Sequence, residues 1–122
     1  AAGQTISGYA ALATAQTFTA AQRGSVSALT DGATITPDFS LSNNWSLALG
    51  GSRTLANPTN LTAGQSGTIV ITNGGAYTLA FGSYWKFAGG TAPTLTASAT
   101  DVIAYYVESA TRITARHIGD VK

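Results

Sequence analysis

Side chains able to do acid–base, nucleophilic or metal chemistry are scarce in this sequence. It holds one histidine, five carboxylates and no cysteine in 122 residues. His117 ends the run Arg112–His117 on the face it shares with Ile113 and Ala115, which suits a structural cap on a core edge better than proton transfer. A glycosidase-type pair needs two carboxyls at a defined separation, and the pool is Asp31, Asp38, Asp101, Glu108 and Asp120. Asp101 and Glu108 have opposite parity on one predicted strand, so they point to opposite faces. Ser83-Tyr84-Trp85-Lys86 matches the Ser-x-x-Lys of penicillin-binding serine enzymes without their helix start or partner motifs. Gly64-Gln65-Ser66-Gly67 lacks the spacing of a nucleophile elbow and reads as a turn. With one His, no Cys and no dense carboxylate loop, neither a metal site nor a cofactor is expected. These residues point to a binding domain, not an enzyme.

Aromatic side chains give the stronger signal. Trp45, Tyr77, Phe81, Tyr84, Trp85, Phe87, Tyr105 and Tyr106 concentrate toward the C-terminal half, and Tyr84–Phe87 gathers three rings around Lys86. For Trp85 and Phe87 core packing is favoured, since large aromatics dominate small β cores. The alternative is a platform for a sugar ring, with Lys86 and nearby amides fixing its orientation.

The elements that must position these residues are short strands. Charged residues make up 9% of the chain, against roughly 25% in ordinary soluble domains, so Thr, Ser, Asn and Gln supply the solubility. The net charge of +1 comes from bases and acids spread along the chain. Without a Lys/Arg cluster, nucleic-acid binding has little to work with. There is no basic amphipathic helix and no apolar run long enough to span a bilayer, so membrane insertion is not expected. The absence of methionine suggests a piece of a longer polypeptide.

Two textures divide the chain. Residues 1–36 read as an extended Ala/Thr-rich segment, with one or two helical turns allowed at Ala10–Ala15, too thin in large side chains to form a core alone. Residues 37–122 read as a compact β domain. Phe39 and Leu41 alternate with polar residues, and Trp45, Leu47 and Leu49 share one face after a turn at Asn43-Asn44. Gly67–Thr72 and Ala76–Phe81 flank Asn73-Gly74-Gly75, a strong hairpin signal with positive φ expected at the turn. Asp101–Val107 is nearly all apolar, suggesting a central strand buried on both faces. After a turn at Glu108–Ala110, Arg112, Thr114 and Arg116 form the wet, basic face of a last strand. The class is all-β, a small sandwich or barrel of short antiparallel strands. No internal repeat of fixed period is visible, which disfavours a solenoid.

Two runs carry a family resemblance. Asn60-Leu-Thr-Ala-Gly-Gln-Ser-Gly-Thr-Ile-Val-Ile-Thr72 and Phe81-Gly-Ser-Tyr-Trp-Lys-Phe-Ala-Gly-Gly-Thr-Ala-Pro-Thr-Leu95 resemble a C-terminal module of tail-fibre proteins of tailed phages, prophages and gene-transfer particles. Asp101–Val107 and Thr111–His117 fit the same pattern, and upstream Thr17–Gln22 resembles a segment frequent in such fibres. The likeness covers about residues 17–122. Ala88 stands where relatives often carry proline, which leaves that loop less constrained.

The resemblance implies a homotrimeric fibre tip at the distal end of the virion's tail fibre, docking on a bacterial surface polysaccharide or pilus. It leaves specificity to the loops. The candidates are the Asn43-Asn44 turn beside Trp45 and the loop near Tyr84–Thr91, with Tyr84 and Lys86. Arg112 and Arg116, on a wet strand face, are expected to matter only modestly. Two other readings are a structural trimerisation cap of the fibre and, less favoured, a capsule or cell-wall glycan hydrolase.

Overall fold

In the computed structural model, residues 13–122 are described. Residues 13–25 contain no strand and are exposed. The first half of the Ala10–Ala15 stretch lies outside the described residues, and its second half, 13–15, forms no helix.

From Val26 the chain makes three passes, each leaving one strand in each of two sheets. The first pass gives β1 (Val26–Ala28) and β2 (Thr34–Ile35), the second β3 (Asn44–Leu49) and β4 (Arg53–Leu55), the third β5 (Ser66–Asn73) and β6 (Leu79–Phe81). Within each sheet, successive passes stack in parallel: β1 on β3 on β5, and β2 on β4 on β6. A parallel bridge between Asp38 and Thr59 ties a third side of the first two passes. The chain then adds β7 (Trp85–Lys86), β8 (Thr100–Ser109) and β9 (Arg112–Ile118). The large sheet has the order β1-β3-β5-β8-β9-β7 and the small one β2-β4-β6.

The molecule is all-β, as composition implies, but its arrangement is solenoid-like rather than a sandwich of antiparallel strands. Only β5·β8 and β8·β9 pair antiparallel; the other five strand pairs are parallel. The spacing explains why no repeat shows in the sequence. Val26 pairs with Asn44 and Asn44 with Thr68, offsets of 18 and 24, while Thr34 pairs with Thr54 and Arg53 with Leu79, offsets of 20 and 26. Stacking needs aligned strands, and corners of different length absorb the difference. Residues 26–36, assigned by texture to the extended segment, form the first pass of the folded body, with Ile35 buried.

The hairpin expected at Asn73-Gly74-Gly75 does not form: β5 and β6 lie in different sheets. The Asn73 side chain is buried and its amide donates to the carbonyls of Tyr77 and Thr96. The Gly74 amide donates to the carbonyl of Leu49 in the pass beneath. This corner therefore continues the stack instead of folding back. Gly74 has no positive φ; a Cβ there would meet that Leu49 oxygen at 2.7 Å, so close approach of backbones selects glycine.

Side-chain alternation sets the inner face. On β3, Trp45, Leu47 and Leu49 point in, while Ser46 and Ala48 point out. Ile69 and Ile71 of β5, Ile103, Tyr105 and Val107 of β8, and Ile113 of β9 join them. Each such burial contributes roughly 1.5–3 kcal/mol. β8 is buried on one face only; Tyr106 is 50% exposed on the other. The expected strand at Phe39–Leu41 is instead a turn that buries Phe39 and leaves Leu41 outside. The β8–β9 hairpin forms as its sequence implies, but β8 runs on through Ser109, so the turn expected at Glu108–Ala110 falls at Ala110-Thr111.

Candidate functional site

The sequence candidates fall into two places. Asn43, Asn44 and Trp45 stand at the start of β3, whereas Tyr84 and Lys86 stand at β7, with β5, β8 and β9 between them. They do not form one site.

Trp45 offers no ring to a ligand. It is buried, stacked on Phe39 at 5.7 Å between centroids, and its indole N–H donates to the Tyr105 hydroxyl. That hydroxyl donates in turn to the carbonyl of Asn43. Asn44 is half-buried and its Oδ1 accepts from the Thr68 hydroxyl. Trp85 is also core: its ring packs edge-on to Phe39, Phe81 and Tyr105, and its Nε1 donates to the Ala56 carbonyl. Buried rings whose polar ends are satisfied are framework. Tyr84 is half-buried; its amide donates to Asn57 and its carbonyl accepts from Ile113, so its backbone anchors β9 to a corner.

Lys86 belongs to a different constellation. It is exposed on β7 and pairs in register with Thr114 of β9, which pairs with Tyr106 of β8. Arg112 and Arg116 flank Thr114 on the same outer face of β9, and Arg116 lies opposite the small Ala104. The loop after β7 forms the facing wall through Phe87, Thr91 and Pro93. Together they enclose an open groove of about 800 Å³. A single 3-10 turn, Ala88–Gly90, shapes the wall, with Gly89 and Gly90 at φ 68° and 72°, a region glycine enters freely.

The charge balance of the groove is one-sided. Lys86, Arg112, Arg116 and His117 line it, and no carboxylate does. All five acids of the chain are described and engaged, and two of them, Glu108 and Asp101, hold residues that line the groove. Asp31 pairs with Arg53, Asp38 accepts from Ser40 and Asn60, and Asp120 pairs with Lys122. Glu108 pairs with Arg112 Nε at 2.8 Å and accepts from the Thr114 hydroxyl. Among the described residues, Lys86 and Arg116 have no acidic partner.

Asp101 sits inside, 1% exposed, at the start of β8. Burial alone would raise its pKa. The hydrogen bond from His117 at 2.7 Å and the amides of Asp120 and Thr96 outweigh burial and bring it to about 2. This carboxylate is a clamp. It holds the strand β9, the loop before β8 and the C-terminal turn at once.

In the sequence Arg112 and Arg116 read only as a wet strand face, and Tyr106 only as one aromatic among several. The Arg112–Thr114–Arg116 alternation and the β8–β9 hairpin contained the signal for the two strands that floor the groove. Lys86 reaches it only through a parallel pairing of β7 with β9, which no local pattern encodes. No protein-family model, curated protein or solved structure matches this chain.

Proposed function

We propose that this chain is the receptor-binding tip domain of a phage tail fibre, a homotrimer that attaches to a glycan on the bacterial surface. The observation that supports the reading is the groove: an open, cation-lined concavity with a half-exposed aromatic, the form expected of a site that holds a ligand without cutting it. The carboxylates favour binding over hydrolysis, since each is occupied by a cation, amide or hydroxyl and none lines the groove. Trimer formation has a surface to use. Ala28, Ser46, Val70, Val102 and Ile118 align in register across five strands of the outer face, and Val70 and Ile118 are 40% and 45% exposed.

The purified domain is expected to bind host cells saturably and to compete with phage adsorption. Sedimentation equilibrium should return three times the chain mass at micromolar concentration. A domain that binds no cell carrying the phage receptor overturns the reading. The second reading, a structural cap of the fibre, would then stand. It is favoured by one feature: antiparallel β8 lies on β5 and ends the parallel stack.

A further inference from the structure

We propose that the β7–β8–β9 groove takes an acidic polysaccharide, its carboxylates held by Lys86, Arg112 and Arg116 and a ring face lying on Tyr106. The inference rests on the receptor-binding reading and assigns that site its ligand class and its residues.

Two cations without acidic partners stand beside a third, Arg112, whose partner Glu108 also accepts from the Thr114 hydroxyl. In a chain of net charge +1, positive charge gathered in one concavity focuses field there and favours an anionic ligand. Arg112 is bound to Glu108 through Nε, so the two terminal nitrogens of its fork remain for a ligand. A guanidinium fork matches a carboxylate in two parallel hydrogen bonds.

The geometry selects a polymer with flat apolar faces. Along β9, Arg112, Thr114 and Arg116 project on one face, and at about 3.3 Å per residue the two arginines are roughly 13 Å apart along the strand. A free anion would use one of them; a chain of sugar rings uses both. Tyr106 is 50% exposed beside Thr114, giving a ring face and a hydroxyl at the middle of that span. Aromatic rings and hydroxyl donors side by side suit the apolar face and polar rim of a sugar. Nucleic acid is the poorer fit, because the basic stretch is short and one exposed ring supplies a single stacking position.

The test is calorimetry of the full chain with polygalacturonate, alginate and hyaluronan, each paired with its carboxyl-reduced counterpart. At least one acidic polymer is expected to bind, with its reduced form at least tenfold weaker. Loss of a charge-assisted hydrogen bond is worth roughly tenfold, so K86A/R116A should weaken binding about a hundredfold while the melting temperature stays within a few degrees. Arg23→Ala, outside the groove, should leave affinity unchanged. Binding that ignores carboxyl reduction, survives K86A/R116A or occurs with none of the three polymers overturns the proposal. So does equal affinity for duplex DNA. Host-cell binding separates this inference from the reading beneath it. Cells bound equally by wild type and K86A/R116A would sink the groove assignment alone. Groove-dependent polymer binding without any cell binding would sink the receptor role alone.

Discussion

Residues 26–81 and residues 82–122 build one sheet by opposite means. The first stretch stacks parallel strands at separations of 18 to 26 residues, through corners that differ in length. The second lays an antiparallel hairpin on that stack and adds β7 beyond it. Chemistry divides along the same line. Residues 26–81 hold three of the Asp, Glu, Lys and Arg residues, namely Asp31, Asp38 and Arg53, whereas residues 82–122 hold seven. The stack is framework whose outer face is nearly uncharged, and the hairpin end carries the basic groove. The lesson is that shape and recognition have been separated along the chain, so a change in one region should leave the other's property largely intact.

The largest effect is expected where the stack is tightest. A Cβ on Gly67 would lie 1.8 Å from the Asn43 carbonyl oxygen and 2.9 Å from the Tyr105 hydroxyl. Backbone cannot yield there without parting β3 from β5, so Gly67→Ala should destabilise by about 3 kcal/mol or more. In the hairpin turn, exposed Ala110→Gly should stay within about 0.5 kcal/mol. Urea unfolding checks both; comparable losses at the two positions would erase the contrast.

A middle effect tests the joint between the regions. Asp101 has a native pKa of about 2 against an ordinary value of 3.8. A depressed native pKa contributes stability above the unfolded value, which is lost as pH falls through the native one. Unfolding free energy should therefore drop by about 2 kcal/mol between roughly pH 5 and pH 1. Asp101→Asn should flatten that window and lower stability at pH 7 by about 3 kcal/mol, because an amide NH₂ faces donors that need an acceptor. A pH profile identical in the variant and the wild type would show that another group governs acid unfolding.

The smallest effect belongs to the exposed Arg112–Glu108 pair. Glu108→Gln should cost no more than about 0.5 kcal/mol and, by releasing Arg112, should tighten binding of an acidic polymer at low salt. Weaker binding would mean that Glu108 positions the arginine.

What the sequence disclosed follows the same division. The β8–β9 hairpin was readable because its strands are adjacent and its turn is local. The inward face of β3 was readable because alternation with period two is a property of the strand itself. The parallel stack was not, since its partners are chosen by corner lengths and close backbone contacts rather than by any repeated residue. Asn73-Gly74-Gly75 shows the failure in detail: the same residues suit a tight turn and a corner with a buried amide, and only the Leu49 carbonyl beneath decides between them. For the candidate site, aromatic content drew attention to Trp45, which the core claims, and away from Tyr106. Lys86 was the residue common to both descriptions.

Among the described residues, the edge strands of the two sheets are short and unpaired on their outer sides, with a consequence for colloidal behaviour. β1 and β7 border the large sheet with three and two residues, and β2 and β6 border the small one with two and three. A chain with 9% charged residues and a net charge of +1 has little electrostatic repulsion to keep its copies apart. Unpaired strand edges are templates for aggregation in proportion to their length, and edges this short offer a neighbouring chain only one or two ladder hydrogen bonds. The long strands, β5 and β8, which would make efficient templates, are paired on both sides. Resistance to edge-to-edge aggregation is thus built into strand order rather than surface charge, and added salt should do little to weaken it.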